Sequence, residues 1–384
     1  MTTYTLNKTP TKTSVNYGIN NIKLDLDIPK HKKFENMSIY TSELDKMDID
    51  IIDSAHGIKP ELNSKIGLKF KQYEQINITI PENTTVRNPV LLDFLFDEES
   101  DYLVDNIQIT MKPNSNASFI LHYCNDSQNK FFHNLKQTTI LEENSQANIV
   151  IANMLNNNSQ SFISIENDIQ EKAKLTHVLV EFGGENKISN YYSKIEGNNG
   201  ENYLKSIYLG TGKDLIDINY NIEAIGKNTK CNIDVQGVIT DNATKHFKGI
   251  IDFKEGAKKA EGVENENCMI LSDNAKSKSL PMLLCNEEDV NGEHGVSSGK
   301  LDEQKLFYIM TKGISYEDAR KLIIKANMND IITEIPDEDL KLEVTELIDA
   351  KIWWRKSKVR KNLRPQILTQ NFKRRELEIW RIMI

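Results

Sequence analysis

The sequence predicts a mainly β chain, a right-handed parallel β-helix followed by a small helical region, on three observations. Short β-rich runs bounded by Asn, Gly, Asp or Ser recur from about Ile76 onward. Small residues ahead of those runs recur at a regular interval. From Asp302 the apolar period changes from that of strands to that of helices.

Residues 1–75 read as an irregular N-terminal region, with short helices expected around Ser42–Asp53 and Pro60–Tyr73. Strands then follow at INITI, VLLDFLF, NIQITM, SFILHY, NIVIAN, THVLVEF, YLKSIYL, NIDVQGVI, FKGIIDF and MIL, within a β-helix core assigned to 76–301. Ala117, Ala147, Ala173, Gly200, Thr229, Ala243, Ala257 and Ala275 mark turns separated by 30, 26, 27, 29, 14, 14 and 18 residues. A unit near 28 residues, with half-units near 14, fits a coil of two strands per half-turn. Each rung of such a coil buries its inner face only by stacking on its neighbours. Asn-Gly and Asp-Gly pairs between strands are few, which disfavours a hairpin-built sandwich.

A C-terminal helical domain is assigned to 302–350. Asp302 caps a first helix carrying Leu306, Phe307, Ile309 and Met310, and Gly313 is placed to end it. Ser315 and Asp318 form a capping-box pattern for a second helix, on which Ala319, Leu322, Ile323 and Ala326 share a face. Pro336 sits at the first turn of a third helix, Asp337–Ala350. Three helices placed there cap the open end of a solenoid and offer a docking surface.

Composition narrows the function. The 384 residues are 39% hydrophobic and 27% charged, and no stretch approaches the roughly 20 apolar residues that cross a bilayer. The first residues, MTTYTLNKTPTKTSVNYG, lack the apolar segment of a secretory leader. Cys124, Cys231, Cys268 and Cys285 form no CxxC pair, so a disulfide framework is not expected and the compartment is read as cytoplasmic. Residues 351–384 form an atypical basic tail with 11 Lys/Arg against 2 acids, a net of +9 in a chain of net −8. The remaining body therefore carries −17 and is a poor partner for nucleic acid.

Chemistry concentrates where the two architectures meet. His294, with Glu293 before it and Gly295 after it, has the carboxylate and backbone room used by metal-binding or proton-handling imidazoles. Cys285, nine residues earlier, offers a soft thiolate, although a free cysteine in a strand is most often a small buried hydrophobe. Glu288 lies in the acidic trio Glu287–Asp289, a candidate for iron or simply a solvated turn. There is no GxxxxGK[ST], GxSxG or HExxH, so any ATP hydrolysis falls to a partner.

The block GVITDNATKHFKG, then ILSDNAKSKSLPML, then EDVNGEHG with SGKLDEQKLFYIMTKGISYEDARKLII resembles the diagnostic region of the SufB/SufD family, and most closely its SufD-like members. The likeness runs from about Asp217 to Leu347, with weaker similarity back to Ile76. It implies a non-enzymatic scaffold subunit of a SufBCD-type iron–sulfur cluster assembly complex. Such a subunit pairs with a SufB-like subunit through its β-helix and docks a SufC-like ATPase through its C-terminal helices. A transient cluster then forms at the partner interface, and this chain holds no cofactor alone. His294 lines up with the family's SufD histidine, with Glu293 beside it. Asn267 and Gly295 stand where SufB members carry a cysteine and an acidic residue, which places the chain on the SufD side. Edge strands near Leu280–Cys285, with Leu283 among them, are expected at the heterodimer contact, and Leu306, Phe307, Leu322 and Ile323 at the ATPase contact. A β-helix carbohydrate-active enzyme, a lyase or hydrolase, is the competing class. It needs paired carboxylates on neighbouring rungs and an aromatic cleft, and the rungs carry no tryptophan.

Overall fold

A computed structural model describes residues 2–7, 19, 22–26, 34–53, 61–63, 67–69, 74–353 and 380–383. Successive strands alternate between two sheets. From its C-terminal end, the ten-stranded sheet runs Val290–Gly299, Ala260–Ile270, Lys230–Ile239, Glu201–Gly210, Lys174–Glu181, Gln146–Asn153, Asn116–Asn125, Val90–Phe96, Met37–Thr41 and Trp380–Met383. The nine-stranded sheet runs Lys276–Cys285, Thr244–Phe253, Leu215–Ala224, Asn186–Ile195, Gln160–Ile169, Phe132–Leu141, Tyr102–Met111, Glu74–Ile80 and Asp48–Asp53. Pairing is parallel from Glu74–Ile80 and Val90–Phe96 to the C-terminal strands, a β-solenoid of about 8 turns. Each turn gives one strand to each sheet, so the coil has one strand per half-turn instead of the two expected.

The turns explain the period. Asn83, Asn114, Asn144, Lys172, Asn199, Asn228 and Lys259 all take left-handed φ of 54–59°, one ahead of each strand of the ten-stranded sheet from Val90 to Ile270. Asparagine tolerates that region better than most side chains. Stacked copies also bond to one another: Asn144 Nδ2 donates to Asn114 Oδ1 at 2.7 Å, and Asn114 Nδ2 to Asn83 Oδ1 at 3.1 Å. The marker alanines sit beside these turns, and Ala117 pairs directly with Ala147.

The interior between the sheets is one continuous apolar column, from Ile76 and Val90 to Phe253 and Cys268. Both outer faces are also covered. On the nine-stranded sheet, Tyr4, Leu6 and Leu26 of an N-terminal hairpin pack on Tyr102, Val104, Phe132, Phe162 and Ile188. On the ten-stranded sheet lie the helices α2 (Tyr316–Ile332) and α3 (Glu338–Trp353), with α1 (Glu303–Met310) packed against α2. Ile324, Met328, Ile331, Val344 and Ile348 cover Val150, Val178, Ile207 and Val238.

The helices therefore flank the solenoid and do not cap its open end as expected; the apolar outer face of the sheet is the larger surface to remove from water. The predicted caps are present. Asp302 Oδ1 accepts from Gln304 N and Lys305 N, and Ser315 Oγ accepts from Asp318 N. Asp337 caps α3 through Leu340 N at 2.8 Å, so Pro336 precedes the cap and is not in the first turn. The short helices expected early in the chain are corrected too. Residues 42–53 hold one 3-10 turn at Leu44–Lys46 and the strand Asp48–Asp53, and the described parts of 60–73 are strands Glu61–Asn63 and Gly67–Lys69. The alternating Asp-Ile-Asp-Ile of 48–51 is a strand period, which pairs antiparallel with Glu74–Ile80. Most of the basic tail lies outside the described residues, and Trp380–Met383 pairs antiparallel with Met37–Thr41.

Candidate functional site

At the C-terminal end both sheets finish on an edge strand, Lys276–Cys285 in one and Val290–Gly299 in the other. No further rung covers them among the described residues, so most of their side chains are exposed or half-buried. His294 lies here. It belongs to a strand, although Gly-Glu-His-Gly has the composition of a turn, because 290–299 pairs in register with 260–269.

Register decides which side chains share a face. His294 pairs with Glu264 and Val296 with Glu266, and both glutamates are buried within the solenoid. His294 thus faces inward at the uncovered end, exposed to solvent. Glu293 pairs with half-buried Val263 on the outer side, so it does not accompany His294 as expected. The carboxylate that does is Glu264. Burial pushes its carboxyl up to about 8, the neighbouring Glu266 adds to this, and a backbone hydrogen bond from Met282 opposes it. Gly249 makes the space, since a β-carbon there would lie 1.9 Å from Glu264 Oε1.

One layer along, a buried polar cluster closes beneath the last rung. Lys245 Nζ donates to Glu266 Oε1 at 2.6 Å and to Ser279 Oγ at 2.8 Å. Tyr208 OH donates to Glu266 Oε1 and Ser279 Oγ to Glu266 Oε2, both at 2.8 Å. Beyond it Ser277 and Ser298 join across the interior at 3.0 Å.

Cys285 is exposed and inward in register, above Phe253. It is not brought to His294. Gly292 faces Leu283 across the interior, a β-carbon there lying 3.2 Å from Leu283 Cδ1, so Cys285 falls opposite Val290. Four residues of strand separate Val290 from His294, about 13 Å, too far for one ion. Glu288 is exposed in its turn, while Glu287 is occupied as a turn cap, accepting from Gly256 N, Glu288 N and Asp289 N. Asn267 points outward and donates to Asn327 Oδ1 of α2 at 3.0 Å. Cys268 is buried inward beside Ser298, four residues along from the level of His294, and burial raises its thiol.

The expected docking residues divide. Phe307 (70% exposed) and Leu322 (49%) stand out from α1 and α2 with Tyr308, Met310 and Tyr316. Ile323 and Leu283 are half-buried. Leu306 is buried, which removes it from a surface role: it lies on the covered side of α1. Glu264, Glu266, Lys245 and Tyr208 were missed from sequence. The signals were the i, i+2 glutamates of VENENCMI and the in-strand glycines Gly237 and Gly249, which mark close approach.

Among the described residues no helix is long and apolar enough to cross a membrane. The family model described as SUF system FeS cluster assembly, SufBD core domain, matches residues 94–327, more than half of the chain. The chain is 24% identical over 275 residues to the iron–sulfur cluster assembly protein SufD of Bacillus subtilis, covering 71% of this chain and 63% of that protein. It is 25% identical over 279 residues to an iron–sulfur cluster assembly SufBD family protein of Pyrococcus horikoshii, covering 72% and 62%. SufD of Escherichia coli matches at 28% over 115 residues, 30% of this chain and 27% of that protein. The chain thus spans under two thirds of the length of these relatives. A parallel solenoid whose core coincides with that match makes the chain a member of the SufBD core family of the SUF iron–sulfur cluster assembly system.

Proposed function

We propose that this chain is a SufD-like scaffold subunit, acting without catalysis of its own in iron–sulfur cluster assembly in the cytoplasm. The observation that carries the reading is the uncovered last rung. Two edge strands end the solenoid, one in each sheet, with His294, Cys285, Ser277 and Ser279 turned toward an interior that no rung closes among the described residues. Edge strands offer unpaired backbone groups to another chain. A SufB-like subunit adding its own terminal rung would extend both sheets and enclose His294 beside Glu264. The nascent cluster is cargo of that joint site, with His294 as this chain's contribution.

The exposed apolar set on α1 and α2 is the surface offered to a SufC-like ATPase. Phe307, Tyr308, Met310, Tyr316 and Leu322 are large, exposed and separate from the residues that hold the helices to the sheet. Aromatic residues in such a patch are the usual anchors of binding energy.

Two measurements test the reading. Phe307→Asp with Leu322→Asp should abolish co-purification with the ATPase and leave the solenoid folded; an intact complex would refute the docking surface. Reconstitution with iron and sulfide should give little visible absorbance for this chain alone and clearly more with a SufB-like partner, less again for His294→Ala. A full cluster on the lone chain that depends on Cys285 would overturn the scaffold assignment.

A further inference from the structure

A second set of metal-ligating groups lies far from the open end, on the outer face of the ten-stranded sheet. Strand Asn116–Asn125 carries His122 and Cys124, two residues apart and therefore on one face. Asp93 of strand Val90–Phe96 is the direct cross-strand partner of His122. Ligand atoms of Asp93, His122 and Cys124 all lie within 4.8 Å of one another. His122 Nδ1 is 2.8 Å from Asp93 Oδ1. Six strand spacings separate this cluster from His294, about 29 Å.

A helix closes over it. His122 Nε2 stands 3.6 Å from Glu343 Oε2 of α3. Both atoms are buried without a hydrogen-bond partner. His122 is only 2% exposed and Cys124 7%. An imidazole held between two carboxylates and beside a thiol, under a helix, gathers O, N and S donors at one point. Cys124 and His122 would pack as well as apolar residues on a face otherwise made of Leu91, Ile120, Val150 and Val178.

We propose that Asp93, His122 Nδ1 and Cys124 form a binding site for a divalent transition-metal ion of the zinc or ferrous type, with Glu343 orienting the imidazole. The donor set is mixed O, N and S, which suits borderline ions and not Ca²⁺ or Mg²⁺. A tetrahedral shell sets its ligand atoms roughly 3.5 Å apart, so small side-chain adjustments close the present separations. The ion takes the place of the hydrogen now shared between Asp93 and His122 Nδ1. Nε2–H is then left to donate to Glu343, the carboxylate–histidine–metal arrangement that fixes a ligand ring. Asp93, with its side chain 27% exposed, marks the solvent side, where water fills the fourth position. The site would tie α3 to the first rungs of the sheet, and it does not depend on the scaffold reading.

The test uses the full chain carrying Cys285→Ser, which removes the exposed thiol. Titration with Co²⁺ alone should give a one-to-one site with a thiolate-to-cobalt charge-transfer band, displaced by Zn²⁺ alone. Cys124→Ser should remove the band, and His122→Gln should weaken Zn²⁺ binding by at least about tenfold. Since those positions are buried, Asp93→Asn serves as the variant least dependent on packing, and it too should weaken binding. Glu343→Gln should keep the band while lowering affinity by about 10–100-fold. No saturable band in the folded chain, or a band that survives Cys124→Ser, would overturn the site. Either result would leave a buried Asp93–His122–Glu343 ion-pair network in its place.

Discussion

The closed middle of the solenoid and its last rung treat inward polar side chains in opposite ways. In the middle, such groups sit under another rung and several are paired there. Glu181 accepts from Ser189 Oγ at 2.9 Å and from Tyr220 OH at 2.8 Å, and Lys187 Nζ meets Asp214 Oδ2 at 2.7 Å. At the last rung the inward column continues as Ser277, Cys285, His294 and Ser298, now exposed or half-buried. The same register position is core in one place and surface in the other. What differs is only whether a neighbour stacks above it, and that difference is what another subunit can remove.

The comparison breaks most sharply at Lys245. This residue lies beneath the last rung and is fully buried against Glu266. Lys245→Met should cost about 3–5 kcal/mol in urea unfolding by stranding that carboxylate, and adding Glu266→Gln should recover much of the loss. A cost below about 1 kcal/mol would mean that the rung beneath the end is already wet.

Glu264 sharpens the boundary through pH. Its carboxyl titrates near 4.5 when unfolded and near 8 when folded, so the unfolded chain releases the proton first. Its contribution to stability is complete below about pH 4.5 and is lost as pH rises toward 8, with a slope of up to about 1.4 kcal/mol per pH unit. Glu264→Gln should flatten that part of the stability profile. An unchanged profile would show Glu264 to be solvated.

The smallest stability effect is expected at His294. His294→Ala should change stability by less than about 0.5 kcal/mol while lowering the activity of iron–sulfur enzymes in cells that rely on this system. A large loss of stability would make the residue structural.

Legibility followed the same division. Strands that carry apolar residues to the interior were readable, and the Ala and Asn turns gave their spacing. Phe132–Leu141, Gln160–Ile169 and Asn186–Ile195 were not, because Gln137, Thr139, Ser161 and Ser189 interrupt the apolar alternation, and Leu215–Ala224 was missed although Ile216, Ile218, Tyr220 and Ile222 alternate cleanly. Strand Val290–Gly299 was unreadable for another reason. Its Gly, Ser and charged residues have little β-propensity, and pairing with 260–270 alone makes it a strand. The helix caps were found from sequence. Glu264 was not, since only register shows which of two adjacent carboxylates faces the histidine.

The two ends of the coil are also unlike in polarity, and this sets how many copies can join. At the N-terminal end the parallel order stops: Met37–Thr41 and Asp48–Asp53 lie antiparallel to the first turn and are 5 and 6 residues long. Asp48 and Asp50 put exposed negative charge on the terminal strand of the nine-stranded sheet. Trp380–Met383 already occupies the free side of Met37–Thr41, and a short, charged, reversed edge on the other sheet discourages further strand addition. A coil with two open ends would be divalent and would polymerise head to tail into a fibre. With one end blunted, strand addition is favoured at the remaining end, and on the proposed scaffold reading joining there would terminate at a pair.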